Sequence, residues 1–207
     1  MLAGIPAGEI DAPQRAQLDA AMAEYVDSQL AMAERLEAQV NLGNHYAARG
    51  LADRAVSAYT TAAELDPGYV PAYVNLAHLR SRSGDESAAE AVLRRGISRA
   101  GASADLQHSL GLALIRQRRT DEAMQALQQA ARQDAKNPRY VYVYAVALNS
   151  TGQPEKAIRV LQEAHNSHPN DTDILAALIA FHRDAGHQQK ARHYAEKLRQ
   201  LTAGPSG

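Results

Sequence analysis

The chain contains no cysteine and no tryptophan, and Phe181 is its one phenylalanine. Without a thiol there is no disulfide, no thiolate nucleophile and no thioether haem attachment within these 207 residues. A lack of cysteine fits either side of a bacterial inner membrane. Long apolar runs are missing too. No stretch approaches the roughly 18 apolar residues of a membrane span, and the opening MLAGIPAGEIDAP has no basic region of the kind a signal peptide needs. A soluble chain is expected, cytoplasmic or periplasmic. Net charge is close to absent, −1 at pH 7, so no global field draws the protein to nucleic acid or to a membrane surface. Neither a glycine-rich phosphate loop nor a nucleophile elbow occurs. Catalysis is not expected, and no cofactor is.

What the chain does have is apolar and helix-favouring. Hydrophobic residues make up 45% of it, enough for a sizeable core, and the abundance of Ala, Leu, Gln, Arg and Glu favours helix. Charge is unevenly spread: residues 1–69 hold 4 Lys+Arg against 10 Asp+Glu, residues 70–137 hold 10 against 7, and residues 138–207 hold 8 against 6. One stretch organises the rest. Leu36–Tyr69 contains Leu42, Gly43, Tyr46, Gly50, Ala55, Tyr59, Ala62 and Pro67. Shifted by 34 residues the skeleton returns, with Ala55 becoming Ala89, Ala123, Ala157 and Ala191, and Gly50 becoming Gly84, Gly152 and Gly186.

This period and pattern resemble the tetratricopeptide repeat. The resemblance covers roughly residues 14–201 and implies an all-α, right-handed solenoid of antiparallel helix pairs. It divides the chain into five repeats, 36–69, 70–103, 104–137, 138–171 and 172–203. Residues 1–12 are expected to be an irregular lead-in, 13–35 an N-terminal half-repeat helix or cap, and 204–207 a tail. Small residues let two antiparallel helices touch, and larger ones fill the gap left for the next pair, so stacking supplies the core. In the half-repeat, Ala21, Tyr25 and Ser28 stand 34 residues before Ala55, Tyr59 and Ala62. Two readings of it stand: a cap over the first seam, or a longer protein cut within a repeat. In 104–137, Arg118 takes the place of the turn glycine.

In this family the first helix of each repeat lines a concave groove. Carried onto this sequence, the groove-facing candidates are Asn41, Asn44, Asn75, His78, Arg82, His108, Leu112, Arg116, Arg139, Tyr142, Val146 and Asn149. Asn41 and Asn75 occupy the offset that superhelical members use to hold an extended peptide by its backbone. An Asn amide offers one peptide unit both a donor and an acceptor. Ser109 and Val143 interrupt that row, which restricts the grip to the N-terminal half. The family's carboxylate clamp is not expected, because its cationic positions fall on Val40, Asp105 and Ser109. The C-terminal half reads as more apolar, through Leu112, Ile115, Tyr142, Val143 and Val146, and Tyr142 is the tyrosine of Tyr140, Tyr142 and Tyr144 expected to be most exposed.

Eight histidines include a group, His182, His187 and His193, in the last repeat. No cysteine or suitably spaced carboxylate completes a set of three or four ligands, so these read as structural or surface histidines and no metal is expected. Basic residues without interleaved exposed aromatics give no nucleic-acid surface. The expected role is therefore a protein- or peptide-binding scaffold. Two alternatives stand beside it. LQHSLGLALIRQRRTDEA and RYVYVYAVALNSTGQPEKA resemble repeats that follow multihaem cytochrome domains in some bacterial proteins, which implies a non-catalytic arm of a larger enzyme or electron carrier. Self-association through the open N-terminal repeat face would make a homo-oligomer.

Overall fold

The computed structural model describes residues 11–203, and among them eleven helices and no strand. The lead-in expected over 1–12 lies outside the described residues except for Asp11 and Ala12, and the tail expected over 204–207 lies outside them entirely. The helices fall into two units, 1–101 and 102–207.

The first unit opens with α1 (Ala12–Ala31), which is started by a reciprocal cap. The Asp11 carboxylate accepts from the Gln14 amide at 2.8 Å, and the Gln14 side chain accepts from the Asp11 amide at 3.1 Å. Two helix pairs follow, α2 (Leu36–Ala48) with α3 (Ala52–Leu65), and α4 (Val70–Arg82) with α5 (Glu86–Ala100). The second unit holds three pairs: α6 (Ala104–Arg116) with α7 (Thr120–Gln133), α8 (Pro138–Ser150) with α9 (Pro154–Ser167), and α10 (Thr172–Asp184) with α11 (Gln188–Thr202).

Each pair is closed by the same backbone device. An amide just past the first helix reaches back five residues to a carbonyl: Leu51 to Tyr46 at 2.9 Å, Asp85 to Arg80 at 3.0 Å, Arg119 to Leu114 at 2.9 Å, Gln153 to Leu148 at 2.9 Å and His187 to His182 at 2.8 Å. The residue before each of these amides turns left-handed, which suits glycine. Gly50, Gly84, Gly152 and Gly186 fill that position with φ between 73° and 82°, and Arg118 fills it in the third pair with φ 61°. Second-helix starts are helped by Asp85, which accepts from the Ala88 amide, and by Pro154 in the first turn of α9.

Inside the pairs, a small residue on the first helix meets a large one on the second. A Cβ added to Gly43 would stand 2.4 Å from the Tyr59 ring, and one added to Gly111 would stand 2.6 Å from Leu127. Ala55, Ala89, Ala123 and Ala157 are each at most 1% exposed, which places the periodic alanines at the close helix contacts. The second unit's core gathers Leu127, Tyr144, Leu148, Leu161, Ile174, Leu178 and Phe181. In the first unit Ala55, Tyr59 and Leu76 form a smaller cluster backed by Tyr46 and Val92.

Candidate peptide-binding faces

In the first unit, five of the sequence-derived candidates lie on α2 and α4. Asn44, His78 and Arg82 are exposed, while Asn41 and Asn75 are half-buried. Asn75, His78 and Arg82 follow at helical spacing, so they share one face of α4. The asparagines are tied to the helices around them. Asn41 donates through Nδ2 to Gln29 Oε1 of α1 at 3.0 Å. Asn44 Oδ1 accepts from the Tyr59 hydroxyl of α3 at 2.7 Å and, at a long 3.5 Å, from Asn75 Nδ2 of α4. Burial raises the Tyr59 hydroxyl pKa above its ordinary value, so this phenol stays a donor across the neutral range. A primary amide has two donor hydrogens and an acceptor oxygen with two lone pairs. Each asparagine therefore keeps hydrogen-bonding capacity after its internal bond, while that bond holds its plane.

In the second unit the picture differs. His108, expected to face a ligand, is only 6% exposed and packs against the Tyr140 ring at 4.8 Å between centroids. Its side chain belongs to the interior, where the Tyr140 ring of α8 covers it. Tyr140 of α8 donates a hydrogen bond to the Asp105 carboxylate of α6. Burial, then that bond and the Asp105 charge, push the Tyr140 hydroxyl up to about 12. Leu112 and Asn149 are half-buried, and Arg116 and Arg139 are exposed. Tyr142 is the most exposed of the three tyrosines of α8, yet it packs partly against the core. Ile115 on α6 and Val146 on α8 are exposed apolar side chains, at 43% and 39%.

Sequence reasoning missed Gln29, Tyr59, Asp105 and Tyr140 as residues that organise these faces. Asp105 and Tyr140 are 35 residues apart, one repeat plus one position, so the period held a signal for that pair. Gln29 and Asn41 are joined across an irregular turn that carries no periodic signal. Among the described residues, no helix is long and apolar enough to cross a membrane.

A family model described as "Tetratricopeptide repeat" matches residues 46–113 and 114–180, well over half of the chain. Among curated proteins, "Vi polysaccharide export protein VexE" of Salmonella typhi is 41% identical over 95 residues, which is 44% of this chain. "Cell division cycle protein 27 homolog A" of Arabidopsis thaliana is 34% identical over 97 residues, or 46% of this chain. The matches span only 14% and 13% of those two relatives. Among solved structures, one described as "Functional Characterization of Pseudomonas Aeruginosa pilF" superposes with a TM-score of 0.68 at 22% identity, covering 81% of this chain and 77% of that one. MamA gives 0.66 at 20% identity over 80% and 91%, and YrrB, described as "a TPR protein with an unusual peptide-binding site", gives 0.62 at 17% identity over 83% and 89%. At these identities the likeness is one of fold.

Proposed function

Because the chain belongs to the tetratricopeptide repeat family, we propose that it is a non-catalytic protein-binding scaffold whose first unit holds an extended peptide by its backbone. One observation carries this reading: Asn41, Asn44 and Asn75 lie on two first helices and are reachable from solvent, with Asn41 braced by Gln29 and Asn44 by Tyr59. Bracing matters because a side chain already held in one orientation loses less conformational freedom when a ligand arrives. Amide groups read peptide backbone and leave sequence preference to their neighbours. His78 and Arg82, next along α4, are the groups to supply it. In the second unit Ile115 and Val146 offer apolar contacts of the kind that receive an amphipathic segment.

The test uses a peptide selected from a random library against the wild-type chain, with affinity read by fluorescence anisotropy. Asn41→Ala with Asn75→Ala is expected to weaken that peptide by about 1–3 kcal/mol, while circular dichroism shows unchanged helix content. Equal affinity in the double variant would sink the backbone grip.

A second reading has its own support. The curated matches reach only 13% and 14% of the relatives' lengths, which favours a repeat segment working as an arm of a larger assembly. The two readings are compatible, since an arm of this kind acts by binding.

A further inference from the structure

The histidines of the last helix pair lie together in a way the sequence spacing does not convey. His182, in the last turn of α10, is 1% exposed, and His187, at the start of α11, is exposed. The turn between them brings their two Nδ1 atoms to 3.3 Å. Two nitrogens bound to one tetrahedral ion at about 2.0–2.1 Å each stand about 3.3 Å apart. We propose that His182 and His187 form a two-imidazole site for a divalent transition-metal ion, with water in the remaining positions.

Two side chains in the surroundings support it. Gln162 of α9 places its side-chain amide 3.4 Å from His182 Nε2, the nitrogen left over when Nδ1 binds metal. Metal-bound histidines are usually oriented by a hydrogen bond at that second nitrogen, and an amide can receive it by turning over. Tyr194 of α11 stacks on the His182 ring, 5° from parallel at 5.6 Å, and fixes the plane of the buried ligand. His187 supplies the open side through which an ion enters. The helix ends offset each other, since α10 presents its carbonyl end and α11 its amide end. Among the described residues no group of three His, Cys, Asp or Glu converges. The two imidazoles therefore stand without a third side-chain ligand, and affinity is that of a chelating pair.

Proton balance gives a distinctive signature. With Gln162 donating its amide hydrogen to His182 Nε2, the metal-free His182 carries its own hydrogen on Nδ1 and donates it to His187 Nδ1. When the ion takes both Nδ1 lone pairs, that hydrogen moves through solvent to His182 Nε2 and is donated to the Gln162 carbonyl oxygen. The ring of His182 changes tautomer.

The experiment is titration of the full chain with Zn²⁺ alone, followed by ¹⁵N resonances of the histidine rings and by thermal melting. Saturable exchange of His182 from the Nδ1–H to the Nε2–H form, with a rise in Tm, is the expected result. His187→Gln should abolish both effects, and His193→Gln, which alters an exposed neighbour, should keep them. Zn²⁺ leaving the His182 tautomer unchanged, or acting equally on the His187→Gln chain, would overturn the site.

Discussion

Tyr59 reaches across its helix pair and donates its hydroxyl to Asn44 at 2.7 Å, lying over the one position, Gly43, where any Cβ would strike its ring at 2.4 Å. A skeleton residue that fills the core thus also holds Asn44, a residue proposed to meet the peptide. Tyr59→Phe keeps the packing and removes the donor. It is expected to lower stability by about 1 kcal/mol and to weaken peptide binding through a less fixed Asn44, as read by chemical denaturation and by anisotropy on the same variant.

Gly43→Ala tests the close contact itself. Tyr59 is 3% exposed and its ring would lie 2.4 Å from the added methyl, so the methyl must displace a packed ring. A loss of about 1–3 kcal/mol is expected. Ala89→Leu, at a position 0% exposed, should be worse. A wild-type melting temperature for either variant would show that these residues do not form the helix contact.

Arg118 is the one described non-glycine residue with positive φ, at 61°. Its four counterparts are glycines, which adopt this region without a steric penalty. Arg118→Gly relieves that strain but gives the unfolded chain more freedom. The net expectation is a gain of about 0.5–1 kcal/mol, measured by urea unfolding. A loss would mean that the Arg118 side chain makes a contact worth more than the strain.

His165 and His182 are buried with depressed pKa values. Burial is the first cause for both, followed by Lys197 and His193 for His165 and by Lys190 and His187 for His182. All of these added neighbours are basic. The folded state therefore takes up protons less readily than the unfolded one. The stability the neutral rings provide is fully present above the unfolded pKa near 6.5 and is lost as pH falls through the lower folded values. Urea midpoints should fall between pH 7.5 and 5, and His165→Asn should flatten the slope.

Tyr140 works in the opposite range. With its hydroxyl pushed up to about 12 against an ordinary value near 10, the folded state holds this proton longer than the unfolded chain does. Its contribution is present below about pH 10 and is lost as pH rises toward 12. Ultraviolet titration of wild type against Tyr140→Phe should show one late-titrating phenol missing from the variant.

Much of this molecule was legible in its residues, for a definite reason. A repeat in which each helix pair must bury the same face against the next writes its packing rule into the sequence at a fixed interval. Ala55, Ala89, Ala123 and Ala157, and the turn positions at Gly50, Gly84, Gly152 and Gly186, could be read from that interval. Each is decided by backbone geometry or close approach, which depends on local residue type. The direction of an individual polar side chain is not written that way. His108 had the right offset for a groove and lies inside, because the Tyr140 ring takes up the space beside it. Asn41 faced a partner, Gln29, delivered by a turn with no period. His182 and His187 were visible as neighbours in sequence, but only the α10–α11 turn decided that their Nδ1 atoms meet. The sequence determined the repeat, its turns and its small-to-large contacts through local sterics. Tertiary structure alone decided which polar groups pair, because that depends on distances between helices that no single helix specifies.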